Sequence, residues 1–135
     1  MRIVLDDGAI TPTRAHQNDA GLDLYAMKGG WMFPKCRKTF STGVHAAIPH
    51  GFVGMLTSKS GLMSKGITSR GTIDADYTGS IKAILFNHSW WFKHIKKGQK
   101  ITQLVLMPII TPGLEVVEDL EQTERGDGGF GSTGE

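Results

Sequence analysis

Gly71-Thr72-Ile73-Asp74-Ala75-Asp76-Tyr77-Thr78-Gly79-Ser80-Ile81 lies in the middle of the chain and decides how the rest is read. Two β-branched runs flank a glycine-containing bend, which is the pattern of a β-hairpin. Its polar side chains are two carboxylates and a phenol. Its glycines let another molecule approach the main chain closely. A hairpin with an acid and an aromatic ring at its base can hold a flat ligand on its backbone and a water on its carboxylate. Taken alone, the stretch is equally an ordinary turn with solvated Asp side chains.

Outward from this hairpin, short apolar runs recur with Gly and Pro between them, and no segment keeps a long helical period. The pattern predicts an all-β fold, a sandwich or barrel, with one short helix near Leu62. Strands are expected over residues 2–5, 20–26, 37–47, 52–57, 81–87, 101–109 and 114–120, with 67–70 leading into the hairpin. In 20–26, Leu22, Leu24 and Ala26 fall on one face and Asp23 and Tyr25 on the other. That acid is either solvated or aimed into a pocket. Residues 27–33 read as a Gly-Gly turn with apolar flanks. Residues 88–94 read as a polar-aromatic loop carrying Trp90, Trp91 and Phe92. Its His88 and His94 have neither the spacing nor a nearby carboxylate for a metal site. In 101–109 the amide of Gln103 interrupts an apolar run and needs partners, structural or from a ligand.

Composition narrows the possibilities. The 135 residues suffice for one domain with a modest core. Hydrophobic content of 39% and charged content of 21% exclude wholesale disorder. A net charge of +2 without a basic block gives no case for nucleic acid as a partner. The single cysteine, Cys36, excludes an intrachain disulfide framework and a cysteine-based zinc site. No apolar stretch reaches transmembrane length, so no membrane partner is expected. Met1-Arg2-Ile3-Val4, with acids close behind, does not read as a signal peptide. The expected location is the cytoplasm, or the host cytoplasm for a viral chain.

Two further segments carry chemistry. Ser58-Lys59-Ser60-Gly61-Leu62-Met63-Ser64-Lys65-Gly66 places small residues, hydroxyls and a lysine at the start of a short helix. Free N–H groups there suit a phosphate. The Gly-Lys-Ser/Thr order of a Walker A loop is absent, and a capped helix with a surface lysine is the plainer reading. At the C-terminus, Arg125-Gly126-Asp127-Gly128-Gly129-Phe130-Gly131-Ser132-Thr133-Gly134 is too glycine-rich to pack as a core element. It still supplies an arginine for phosphate, an aromatic ring for stacking, and hydroxyls with glycine N–H groups. The tail is either a disordered end or a flap that orders on a ligand.

Five segments resemble, in order and spacing, the motifs of the trimeric dUTPases (dUTP nucleotidohydrolases). They are Ala20-Gly21-Leu22-Asp23-Leu24, Ser58-Lys59-Ser60-Gly61-Leu62, the opening hairpin, the stretch from Gly98 through Gln103-Leu104-Val105, and the tail from Arg125 to Gly134. The resemblance implies a distorted jelly-roll β-barrel over residues 1–120 and a flexible C-terminal arm over 121–135. It implies a homotrimer whose three sites each draw on all three subunits. The reaction implied is hydrolysis of dUTP to dUMP and pyrophosphate, which keeps uracil out of DNA and supplies dUMP for thymidylate synthesis.

Roles follow by resemblance. Asp74 is the general base, activating a water for in-line attack on the α-phosphorus. Tyr77 packs under the deoxyribose and excludes a 2′-hydroxyl. The main chain around Ile73 and Lys82 binds the uracil edge, with Thr68 and Thr72 as further substrate contacts. Lys59, Ser60, Gly61 and Gln103 hold phosphates. Arg125 contacts phosphate, Phe130 stacks on uracil, and Gly131, Ser132 and Thr133 wrap the γ-phosphate. Mg2+ rides mostly on the triphosphate and keeps waters. Asp23 either reaches it through water or orients neighbouring basic groups. Asp76 is a structural hydrogen-bonding residue.

One departure stands out: Lys59 occupies a position where the family has arginine, offering a point charge instead of a bidentate fork. Two other readings share the fold. A dCTP deaminase, or a bifunctional deaminase–dUTPase, uses a glutamate near the hairpin, and none is present here. A nucleotide-gated protein-binding module is the non-catalytic alternative.

Overall fold

Lys82-Ala83-Ile84-Leu85-Phe86-Asn87 buries every second side chain, Ala83, Leu85 and Asn87, and turns Lys82, Ile84 and Phe86 outward. This period of two marks a strand with one face on a core. The computed structural model describes residues 1–124 and 126. Among these the chain forms β1 (Arg2–Leu5), β2 (Gly21–Tyr25), β3 (Gly30–Met32), β4 (Arg37–Ser41), β5 (Val44–Ala47), β6 (Phe52–Thr57), α1 (Ser60–Met63), β7 (Ile67–Ile73), β8 (Lys82–Asn87), β9 (Lys93–Ile95) and β10 (Lys100–Pro108).

Six strands join in the order β2-β10-β6-β7-β8-β4, and two pairs, β1-β5 and β3-β9, complete a distorted jelly-roll barrel. Two apolar clusters fill it. Met32, Phe40, Leu62, Leu85, Ile95 and Ile101 anchor one. Leu24, Val44, Ile48, Leu56, Ile81 and Leu104 anchor the other. Fully burying a side chain of this size contributes about 1.5–3 kcal/mol, so these few strands supply the domain's stability. The expected all-β class and the short helix at Leu62 are both present.

Four expectations need correction. The Gly-Gly turn expected over 27–33 gives way at Gly30–Met32 to β3, which pairs with β9. The single strand over 37–47 is two strands, because Thr42-Gly43 turns the chain from the large sheet onto the β1-β5 pair. Gly43 has φ +65°, and an added Cβ would collide with Met27 and Ala9, so glycine is required there. The loop over 88–94 ends in a strand: Lys93 and His94 open β9 and pair with Met32 and Trp31. Among the described residues, 114–120 form no strand, and Leu114 and Val116 are 99% and 98% exposed. A strand needs a neighbouring edge, and this segment meets none among the described residues.

One irregularity positions the site. On β10, Lys100 lies opposite Tyr25 and Thr102 opposite Leu24, so two residues of β10 advance against one of β2. Ile101 is the extra residue of a β-bulge. The bulge lets Ile101 and Thr102 both be buried, which plain alternation forbids. It also brings Lys100 onto Asp23.

Candidate active site

The hairpin opens where a regular one would stay closed. β7 and β8 pair only at Ile67↔Asn87, Thr68↔Phe86 and Ser69↔Leu85. Beyond that, β7 follows β6, from Arg70↔Thr57 to Ile73↔Gly54. β8 follows β4, ending at Lys82↔Ser41. Ile81 is strapped to the β4–β5 turn: its N–H donates to the Val44 carbonyl at 2.8 Å, and its carbonyl accepts from the Thr42 N–H at 3.2 Å and the Thr42 hydroxyl at 2.7 Å. The strands splay, and the backbone of Gly71, Thr72 and Ile73 faces that of Lys82, Ala83 and Ile84 across a wedge. Peptide groups along such an edge need partners. A flat heterocycle with a donor–acceptor edge suits them.

Asp74 and Tyr77 stand at the mouth. Asp74 is exposed, one residue past the buried Ile73. Its carbonyl accepts from the Tyr77 N–H at 3.1 Å. The Tyr77 hydroxyl donates to the Ser80 carbonyl at 3.0 Å. That bond folds the ring over Gly79, where an added Cβ would lie 2.6 Å from the phenol oxygen. Glycine at 79 therefore permits this ring position in the hairpin loop. Thr72 and Lys82 are exposed on its two edges.

A second cluster collects the polar residues of the other segments. Asp23 lies opposite Gln103, and Gln103 lies opposite Thr57 on its other side. Directly opposed residues share a sheet face, so β2, β10 and the end of β6 converge here. The Asp23 side chain is 5% exposed. Lys59 donates to its Oδ1, and the Lys100 ammonium lies 2.8 Å from its Oδ2. Burial alone pushes the carboxyl up, but hydrogen bonds from Lys100 and Lys59, with both their charges, outweigh it, and the net shift is below the ordinary 3.8. The Lys100 ammonium is raised, chiefly by its hydrogen bond to Asp23. The Gln103 side chain lies against Gly21, where a Cβ would be 3.0 Å from Oε1. Lys59 caps α1, its carbonyl accepting from Leu62 and Met63 at 2.9 Å each. Ser60 and Gly61 follow, exposed beside it.

Of the two roles open to Asp23, orienting basic groups is the one the geometry displays. Both its oxygens are engaged by ammonium groups, and no three His, Cys, Asp or Glu side chains gather as a metal site among the described residues. Asp23 thus does not fit as a direct ligand of a protein-held Mg2+.

The hairpin mouth and the lysine cluster do not meet in one chain. Ile73 is opposite Gly54, and the chain runs on through Thr57 before reaching Lys59. At about 3.3 Å per residue, Asp74 and Lys59 are roughly 15–20 Å apart along that direction. Thr68 lies at the closed end of the hairpin, Oγ1 2.7 Å from His88 Nε2 and about 20 Å along β7 from Asp74. Arg125, Phe130, Gly131, Ser132 and Thr133 lie outside the described residues.

Two contacts beside these clusters had no sequence signal that singled them out. Lys100 closes the lysine-rich run 96–100, and only the bulge aims it at Asp23. His45, on β5, reaches the hairpin loop. Its Nδ1 lies 2.9 Å from the Thr78 carbonyl and its Nε2 3.1 Å from Asp6 Oδ1. Both facing atoms are acceptors, so both ring nitrogens must carry protons. The Thr78 bond, then the Asp6 bond, lift the imidazole above its ordinary 6.5. A raised value stabilises the fold fully below pH 6.5, and the contribution is lost as pH rises through the raised value. The melting-temperature gap between the parent and His45→Ala is therefore expected to shrink as pH climbs from below 6.5 through the raised folded-state value. A gap that stays constant over that range rules the imidazolium clamp out.

The curled β-barrel thus carries a splayed hairpin slot with an acid and a tyrosine in its loop, and elsewhere two lysines gathered on one buried carboxylate. The chain belongs to the dUTPase family, whose model matches residues 7–134, and it is an enzyme of that kind. It is similar to the deoxyuridine 5'-triphosphate nucleotidohydrolase of Clostridium kluyveri, 44% identical over 130 residues, covering 93% of this chain and 91% of the relative. The same enzyme of Paramecium bursaria Chlorella virus 1 is 43% identical and covers 96% and 94%. Among solved structures, the Staphylococcus bacteriophage 80alpha dUTPase with dUPNHPP superposes with a TM-score of 0.92 at 33% identity, covering 98% of this chain and 97% of that one.

Proposed function

We propose that this chain hydrolyses dUTP to dUMP and pyrophosphate by attack of an Asp74-activated water on the α-phosphorus. The observation that carries the reading is the splayed hairpin with Asp74 and Tyr77 at its mouth. Uracil pairs with the exposed peptide edges around Ile73 and Lys82. The wedge rejects cytosine because its donor–acceptor pattern leaves those edges unpaired. Tyr77, fixed on Ser80, lies under the sugar and leaves no room for a 2′-hydroxyl.

The phosphates belong to the Lys59, Ser60, Gly61 and Gln103 cluster, with Lys100 and Asp23 keeping the ammonium groups in place. Arg125, Phe130, Gly131, Ser132 and Thr133 close over the nucleotide. Mg2+ arrives on the triphosphate. The separation of mouth and cluster within one chain supports a site shared between subunits of a homotrimer. So does the uncovered apolar stretch around Leu114, Val116 and Leu120, which calls for a neighbour. The dUMP produced feeds thymidylate synthesis, and removal of dUTP keeps uracil from DNA.

The test is turnover of dUTP, dCTP, dTTP and UTP with magnesium, following pyrophosphate and ammonia. The expected result is pyrophosphate from dUTP alone. Ammonia from dCTP would replace this reading with the deaminase.

A further inference from the structure

All three tryptophans of the chain are exposed, Trp31 on β3 by 60%, and Trp90 and Trp91, in the loop that leads into β3's partner β9, by 77% and 76%. Phe33 and Phe92 stand among them, also exposed. The β3-β9 ladder sets Trp31 opposite His94, with ring centroids 4.8 Å apart, and Phe33 meets Phe92 at 5.1 Å. The loop is fixed from beneath. The buried Asn87 amide donates to the Phe33 carbonyl at 3.0 Å and the Trp91 carbonyl at 2.8 Å, and its oxygen accepts from the Ser89 N–H and hydroxyl. A contiguous exposed aromatic ridge on a rigid support marks an interaction site.

The segments that carry these rings hold charge of one sign. Residues 24–73 and 77–114 contain no Asp or Glu at all. The near-neutral balance of the whole chain hides this, since the acids gather in residues 6–23, 74–76 and 115–135. Lys35 sits 4.2 Å from the centre of the Trp90 ring. Lys38 donates to the Trp31 carbonyl at 3.0 Å. Beside the ridge runs a cleft of about 500 Å³ lined by Lys65, Lys93, Lys96 and Lys97.

We propose that this face binds single-stranded nucleic acid, with bases stacked on Trp31, Trp90 and Trp91 and phosphates in the lysine cleft. A single strand offers a π-face and an anion in every residue, which matches aromatic rings beside ammonium groups. A flat bilayer cannot follow lysines into a concave cleft. An acidic protein segment offers the anions without the repeating rings. A second copy laid on this face brings its own cations against these.

Because no tryptophan lies elsewhere, intrinsic fluorescence reports on this face alone. The full chain is titrated with an oligodeoxyadenylate, whose purines do not suit a uracil slot. The expected result is quenching, with affinity falling as salt rises at a log–log slope of roughly −2 to −3 for three to four phosphate contacts. The Trp90→Ala/Trp91→Ala variant, followed through Trp31, is expected to bind at least about tenfold more weakly while hydrolysing dUTP like the parent. No quenching overturns the proposal. Equal or stronger quenching by anionic lipid vesicles or polyglutamate assigns the face to a membrane or an acidic protein instead. Tryptophans inaccessible to iodide in the free protein show the ridge covered by another subunit, which also overturns it.

Discussion

Asp74→Asn is expected to lower pyrophosphate release from dUTP by about 10²–10⁴-fold, the usual contribution of a positioned base, while leaving dUTP affinity within a few-fold of the parent. The substitution keeps shape and one acceptor oxygen. It removes the charge and the ability to take a proton from water. It leaves the turn intact, because the contact inside the loop uses the Asp74 main-chain carbonyl and not its side chain. The Ile73 backbone that faces the wedge is likewise unchanged. Loss of kcat with binding retained, read by pyrophosphate assay and calorimetry, assigns Asp74 to the chemical step. Turnover near the parent's removes it from that role. Asp76→Asn is the internal control: two residues on in the same loop, it is expected to keep turnover, and a comparable loss there would mean that loop charge in general, not one base, is being measured.

The strands legible in the sequence were those whose side chains alternate against a core. Residues 52–57 and 81–87 announce themselves as short apolar runs bounded by turn residues, and both are found, with the alternation showing only in which side chains the fold buries. What the sequence could not display is competition between partners. The hairpin was readable, yet its splay depends on Thr42, thirty-nine residues from Ile81, and on β6 taking the far half of β7. No local pattern encodes that contest. Residues 114–120 carry enough apolar and β-branched character to suggest a strand, but strand formation needs an edge as well as a propensity. Asp23 illustrates the same limit inside the site. Alternation put it on a polar face; the fold buries it, because a lysine thirty-six residues away and another brought by a one-residue bulge make burial tolerable. His45 carried no signal at all, since its value lies in a carbonyl and a carboxylate supplied by distant turns.

Asp23→Ala is expected to damage both fold and substrate binding. Its carboxylate is buried and bonded on both oxygens, and its removal leaves two ammonium groups on one small volume without their counter-ion. Breaking a buried pair costs about 3–5 kcal/mol. Here Lys59 and Lys100 keep 26% and 43% of their side-chain surface, so they relax toward water and the loss reduces to about 1–3 kcal/mol. In a domain of this size that lowers the melting temperature by roughly 4–12 °C. The same loss frees Lys59 from its fixed position, so KM for dUTP rises more than kcat falls, as expected when ground-state and transition-state binding weaken together. Asp23→Asn keeps an acceptor and is expected to lie between.

The pH dependence separates this effect from the His45 clamp. The Asp23 carboxyl is depressed, so its stabilisation is full above pH 3.8 and disappears only as pH falls through the lower folded-state value. The melting-temperature gap between parent and Asp23→Ala should therefore hold steady across neutral pH and close only in acid. The His45→Ala gap should close in the opposite direction. If the Asp23 gap instead narrows between neutral pH and pH 5, the two lysines are not what holds its charge.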